Sequence, residues 1–283
     1  MSAWEMELAF ATDVARRAGE IIQAGYGRIE QIDRKSSRDV VTDVDFRSEE
    51  LVISEIRRRF PGDAIVAEES GSHSGRAPAG GAAVGHASFK AERTWVIDPL
   101  DGTVNYANGI PFYCVSIGQV ADGQPVVGVV LDPARGDCYQ AAADSPARLN
   151  GETVQASSKE SLGDYVVSMA IIGRGGIWRE RRIARSIRIT RRMGSSALAL
   201  AYVASGRFDA LVQNGGLSLW DVAAEGLIVE RSGAVVSDLV GGPWWSMGRH
   251  SATISIVAAP RPQHGQLLDL IQQVGTKVQT RRP

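Results

Sequence analysis

Residues 95–105, Trp-Val-Ile-Asp-Pro-Leu-Asp-Gly-Thr-Val-Asn, constrain this chain more than any other stretch. The apolar run Trp95-Val96-Ile97 reads as a buried strand that delivers Asp98 at its carboxyl end. Pro99 has a fixed φ and no N–H, which predicts that the ladder stops there. Asp101 then stands where a following helix begins, and Gly102 leaves the backbone open to a ligand. A strand end, two carboxylates three residues apart and amides at a helix start together suit a metal-bound phosphate. A solvated turn capped by an aspartate accounts for the same letters taken alone. The test is whether acids from elsewhere in the chain converge on this stretch.

At 283 residues the chain is long enough to bury a sizeable core, as one large or two modest domains. Its net charge of −1 gives no bulk pull toward nucleic acid or a membrane surface, so neither is expected as a partner. The only cysteines, Cys114 and Cys138, lie in apolar surroundings and read as small buried hydrophobes with no disulfide framework. No apolar run approaches the ~20 residues of a membrane span. The first residues lack the pattern of a secretory signal, so the cytoplasm is the expected compartment.

Upstream, Leu8, Ala11, Ala15, Ala18 and Ile22 recur at helical steps within residues 2–27, closed by Gly25 and Gly27. Val40-Val41 reads as an extended piece that leads to Asp43, Asp45 and a helix over 46–60. Either aspartate serves as an N-cap, worth roughly 1 kcal/mol, and the pairing of two acids after Lys35 also gives Asp45 a functional reading. A short buried strand, 64–67, ends in Glu68-Glu69-Ser70, placing carboxylates where open α/β folds bind ligands. Residues 71–92 are rich in Gly, Ala, Ser and His and read as a mobile flap, with His73 and His86 solvated. Strands over 113–120, 125–132 and 137–142, joined by Asp-Gly and Asp-Pro turns, give the first half an α+β character.

The second half alternates helix and strand. Residues 174–192 hold eight arginines, which read either as the charged face of a helix over 178–186 before a strand at 187–190, or as forks that neutralise substrate phosphate. Gly194-Ser195-Ser196 opens an apolar helix over 198–205 with small residues that leave its first amides free for an anion. A strand follows at 208–213, then Asp221 in the first turn of an apolar helix, strands near 234–237 and 253–258, a helix at 263–274 and a basic disordered tail from Lys277. The division expected is an N-terminal part, 1–145, with most metal ligands and a C-terminal part, 146–283, with Asp221 and substrate contacts.

Asp45, Glu68, Asp98 with Asp101, and Asp221 thus come from four separate segments, with no His or Cys cluster beside them. An all-oxygen donor set selects hard cations, Mg²⁺ ahead of transition metals. Ala67-Glu68-Glu69-Ser70, Asp98-Pro99-Leu100-Asp101-Gly102-Thr103 and Trp220-Asp221-Val222-Ala223-Ala224, in this order and spacing, resemble the inositol monophosphatase family, within the lithium-sensitive phosphatase superfamily. Thr42-Asp43-Val44-Asp45 fits the same pattern, and the resemblance runs from Lys35 to Pro243.

The resemblance implies a layered αβαβα sandwich, α+β to α/β in class, assembled as a homodimer. It also implies Mg²⁺-dependent hydrolysis of a small-molecule phosphate monoester, with two or three Mg²⁺ per site, and inhibition by lithium. Carried over by position, Glu68, Asp98, Asp101, Asp221 and the Leu100 carbonyl bind metal, and Asp45 reaches a third metal through water. Thr103 with Glu68 orients and deprotonates the attacking water. Substrate contacts fall to Asp101, Gly102, Thr103, Gly194, Ser195, Ser196, Asn214 and Asp221. Asn214 stands where inositol-specific members carry Glu, and the 71–92 stretch is longer than their spacing. Val104-Asn105-Tyr106 leans toward the inositol phosphatase branch. Fructose bisphosphate, histidinol phosphate and adenosine bisphosphate are the alternative substrates, and a metal-binding module for a protein or RNA partner is the alternative of another class.

Overall fold

Along Cys114–Ala121 every residue is buried, and along Gln124–Asp132 every residue but the first. A strand of this kind cannot sit in a sheet with one wet face, so it demands cover on both sides. The computed structural model, which describes residues 2–29, 31–34, 40–73, 92–171, 176–248 and 252–279, supplies that cover with helices.

A short hairpin, β1 (Ile32–Arg34) with β2 (Val40–Thr42), stands apart from two larger sheets. The first has eight strands: β3 (Ala64–Ala67), β4 (Gly71–His73), β5 (Arg93–Asp101), β6 (Cys114–Ala121), β7 (Gln124–Asp132), β8 (Asp137–Ala142), β9 (Arg148–Leu149) and β10 (Glu152–Thr153). Their order is β10-β9-β8-β7-β6-β5-β3-β4, and only β3 and β5 run parallel. The second sheet has five: β11 (Val166–Ile171), β12 (Ile189–Arg191), β13 (Ala210–Leu217), β14 (Val235–Ser237) and β15 (Ile254–Ala259), in the order β12-β11-β13-β15-β14. The first sheet therefore ends at Thr153 and the second begins at Val166.

Helices α1 (Glu5–Gly25) and α2 (Asp43–Arg59) pack on the outer face of the first sheet. Helices α3 (Thr103–Ala107), α4 (Gly176–Ala184), α5 (Ser196–Ala204), α6 (Ala223–Arg231) and α7 (Arg261–Gln279) complete the chain. Between the sheets lie α5 and α6, and α4 with α7 covers the far face of the second sheet. The result is a five-layered αβαβα sandwich. Helix α5 is apolar all round, as an interior layer requires, α6 is buried from Ala223 to Val229 with Glu225 its one charged residue there, and the two carry the largest buried cluster, from Val96 and Val130 to Ile228 and Ile256. Helices α1 and α2 bury one stripe each over Ile97, Ile117 and Val129. No described helix is long and apolar enough to cross a membrane.

Several local expectations change. Pro99 does not end its strand: β5 runs on to Asp101, which pairs with Cys114 after a bulge between Asp98 and Asp101. A bulge absorbs the missing N–H and re-aims the side chains beyond it. Helix α2 begins at Asp43, and its cap is Thr42. Residues 71–73 form an edge strand on β3, with His73 between Arg57 and Ser70. Strand β11 has no counterpart in the sequence reading, and α7 extends through Lys277 to Gln279. Residues 74–91, the bulk of the expected flap, lie outside the described residues, as do Lys35, His86, Arg174 and the tail beyond 279.

Candidate active site

The site forms where the bulge in β5, the start of α3, the loop before α5 and the loop before α6 meet. Asp98 is buried at the bulge, and its Oδ1 accepts the Leu100 amide at 3.0 Å. Ser48 of α2 donates to the Pro99 carbonyl at 3.0 Å, holding the bulge from behind. Gly102 then takes φ +96°, and a Cβ there would stand 3.0 Å from the Phe112 carbonyl and 3.2 Å from Ser195 Cβ, so only glycine turns the chain into α3. The hydroxyl of Thr103, one residue on, lies 3.0 Å from Asp45 Oδ1 and 2.9 Å from the Leu100 carbonyl, both acceptors.

Each acid has its own anchor. Asp101 Oδ2 accepts Ser195 Oγ at 2.5 Å and the Ala197 amide at 2.8 Å, at the start of α5 where the helix dipole favours a negative charge. Asp45 Oδ2 closes a capping box, accepting the Thr42 amide at 2.8 Å and Thr42 Oγ1 at 2.5 Å. Asp221 lies two residues before α6, with Oδ2 on the Ser218 amide at 2.6 Å. The loop that carries Glu68 is fixed by the buried Glu49 of α2, whose two oxygens take the Glu69 and Ser70 amides at 2.9 Å each.

Oxygens of Asp98, Asp101 and Asp221 all lie within 4.8 Å of one another. They face a cleft of about 320 Å³ lined also by Glu68, Leu100, Gly102, Thr103, Val104, Gly194, Gly216, Ser218, Trp220 and Ala252, with no Lys, Arg or His among these described residues. Burial, and then the charges of Glu68, Asp101 and Asp221, push the Asp98 carboxyl well above the carboxylate range. Burial and the charge of Asp101 do the same to Asp221. Asp101 is pushed up to about 6 by burial, against the pull of Ser195 and Ala197. Asp45 also reaches about 6, through burial, against the hydrogen bonds from Thr42 and Thr103. Acids that repel one another at this range without a basic side chain fit a hard divalent cation, which supplies the missing positive charge.

The sign of that mismatch is testable. The folded-state values of Asp101 and Asp45 lie above the ordinary ~3.9 of an unfolded aspartate, so the folded protein holds extra protons between about pH 4 and 6. Their penalty is absent below that window and complete above it. In calorimetric melts, the gain in Tm on adding a divalent cation should be larger at pH 7.5 than at pH 5. Equal gains at both pH values would show that the cation does not displace these protons.

Of the residues picked out by sequence, Glu68, Asp98, Leu100, Asp101, Gly102, Thr103, Gly194 and Asp221 line one cleft. Ser195 and Ser196 turn away from it, the first to Asp101 and the second to Gln213 at 3.0 Å. The Asn214 amide is not part of the lining; its Oδ1 lies 3.4 Å from Ser255 Oγ, and Gly216 lines the cleft instead. No described arginine of the 179–192 segment reaches the cleft; Arg188 pairs with Asp164 and Arg192 with Glu180. Sequence reading missed Glu49 and Ser48. Their signal was polar residues on the buried stripe of α2, where Ser48 and Glu49 alternate with Val52 and Ile53.

The profile described as the inositol monophosphatase family matches residues 4–276. A protein named Nus factor SuhB from Pasteurella multocida is 35% identical, over 90% of this chain and 91% of its own. A fructose-1,6-bisphosphatase/inositol-1-monophosphatase of Thermotoga maritima is 34% identical, over 83% and 85%. The solved inositol monophosphatase of Anabaena superposes with a TM-score of 0.80 at 31% identity, covering 96% of this chain and 97% of that one.

Proposed function

This chain belongs to the inositol monophosphatase family and is a phosphoric monoester hydrolase, and from that premise we propose a Mg²⁺-dependent phosphatase acting on a cyclitol or sugar monophosphate. The observation that carries the reading is the convergence of Asp98, Asp101 and Asp221 in a cleft where Thr103 is held by Asp45. Glu68, Asp98, the Leu100 carbonyl, Asp101 and Asp221 would hold the metal, with Asp45 behind Thr103 for a further ion. Bound Mg²⁺ supplies charge neutralisation for the phosphoryl group and acidifies coordinated water.

The chain's own residues do the positioning, which is most of what phosphoryl transfer asks. The Thr103 proton is committed to Asp45 or the Leu100 carbonyl, so its lone pairs accept a hydrogen bond from an incoming water and aim it. Glu68, on the same cleft, takes the proton that the water releases. Gly102 and Gly194 keep the cleft floor free of side chains, and Trp220 gives one wall an apolar face. A cleft of about 320 Å³ suits a single ring with its phosphate. The homodimer, the cytoplasmic setting and lithium inhibition belong to the same proposal.

Relatives that carry the name Nus factor favour a second reading, in which the same fold serves a protein or RNA partner. A panel of myo-inositol 1-phosphate, fructose 1,6-bisphosphate, histidinol phosphate and adenosine 3′,5′-bisphosphate separates the two. Phosphate release from the inositol or fructose ester should require Mg²⁺ and fall on adding Li⁺. A folded, Mg²⁺-replete protein that turns over no member of the panel would overturn the proposed cyclitol or sugar substrate and favour the partner reading.

A further inference from the structure

Helix α6 carries a charged residue at a place where its neighbours are all apolar. Glu225 is 0% exposed, within the buried run Ala223, Ala224, Gly226, Leu227, Ile228 and Val229. Neither of its carboxylate oxygens has a hydrogen-bond partner. Burial pushes its carboxyl up to about 8, against the pull of the Ser116 hydroxyl and of the Glu225 and Ala224 amides, and Ser116 Oγ itself donates to the Trp220 carbonyl at 3.3 Å. No cation stands among the groups that act on it most; the charged one is Asp101.

Its place in the layers explains why that matters. Asp98 of β5 pairs directly with Ser116 of β6, so the two side chains share one face of the sheet. That face is the one α6 packs on, since a Cβ on Gly118, two residues along, would lie 3.1 Å from Ala223 Cβ. Glu225 comes down on it from the first turn of α6, behind the cleft acids, and its charge raises the carboxyl of Asp221. A buried carboxyl of this kind is a standing cost to the fold, and no cation stands among the groups that act on it most.

We propose that Glu225 is a sixth acid of the cation site, a positioning residue behind Asp98, Asp101 and Asp221 whose buried carboxylate is stabilised when the cation binds. The proposal rests on the metal site of the preceding section. It differs from the ligand set there because Glu225 does not line the cleft and acts through the layer between sheet and helix. Outer groups of this kind hold first ligands in place and add to the field at the ion, and their loss costs about 10–100-fold in metal affinity.

The test sets two measurements against each other. Glu225→Gln keeps the shape and removes the charge, and Glu225→Met replaces the carboxylate with an apolar chain of similar length. Both should raise the Tm of the metal-free protein, by at least about 2 °C, and both should weaken Mg²⁺ binding, titrated calorimetrically with the metal alone, by about 10-fold or more. Glu225→Asp should keep affinity nearer the wild type than either. Wild-type binding with unchanged affinity in Gln and Met variants would overturn the role of Glu225 and leave the metal site intact. A wild-type protein that binds no Mg²⁺ would overturn the metal site and this proposal together. A fall in Tm with affinity unchanged would show that Glu225 serves packing alone.

Discussion

Asp101→Asn should lose at least about 10³-fold in kcat at saturating Mg²⁺ while the fold stays intact, because several kcal/mol of charge stabilisation depend on this group. The side chain has two jobs on opposite sides. Oδ2 accepts Ser195 Oγ and the Ala197 amide, and an asparagine can turn its carbonyl oxygen to keep both. The other position then presents NH₂ to Asp98 and Asp221, a donor in the place where a cation needs an acceptor. The substitution also removes a carboxyl that burial pushes up to about 6, so the metal-free variant should melt no lower than the wild type. Phosphate release and thermal melts with and without Mg²⁺ check both halves. Wild-type turnover in this variant would sink the assignment of the acidic cluster.

Gly128→Val should lower the Tm by about 2–12 °C through overpacking against α6. Gly128 lies in the middle of β7 under α6. A Cβ there would stand 2.5 Å from the Ala224 carbonyl oxygen and 2.9 Å from its Cα. These are backbone atoms of a packed helix and cannot step aside, so α6 must lift from the sheet. Because the loop entering α6 carries Asp221, Mg²⁺ affinity should fall along with stability. Gly62→Val is the control: it has nothing within 4 Å of its Cβ and should melt close to the wild type. Equal Tm values for the two variants would show that α6 does not depend on this close approach.

Much of the site could be read from residue letters because phosphoryl chemistry with a hard cation asks for carboxylates at element ends. Glu68, Asp98, Asp101 and Asp221 stand at such ends, and the structure gathers them in one cleft. Helices α1 and α2 were legible for a different reason, since each buries a single stripe and writes its period into the sequence. The inner layer hides that signal. The helix over 198–205, the apolar helix after Asp221 and the strand over 113–120 were legible there without a period, from the small and turn residues that bound them. Strand β11 escaped notice because its run, Val166–Ile171, is short and includes Ser168.

Sequence by itself determined which acids stand at element ends and in what order, with Gly102 and Thr103 after them. Those features are local, set by side-chain type and by spacing along a few residues. Only the tertiary structure decided which groups serve the cleft and which serve its neighbours. Ser195, next to a glycine that lines the cleft, turns inward to hold Asp101, and Thr42 takes the cap that either aspartate could have taken. The strand expected to stop at Pro99 instead carries a bulge there and continues, so Asp98 and Asp101 both face the site. Glu225 reads as one more charge on a helix until the two sheets close over it and leave its carboxylate without a partner. The physical reason is the same in each case. A side chain's partner depends on which layers meet across it, and that is settled by packing between segments as far apart in sequence as Asp45 and Thr103, or Ser116 and Trp220.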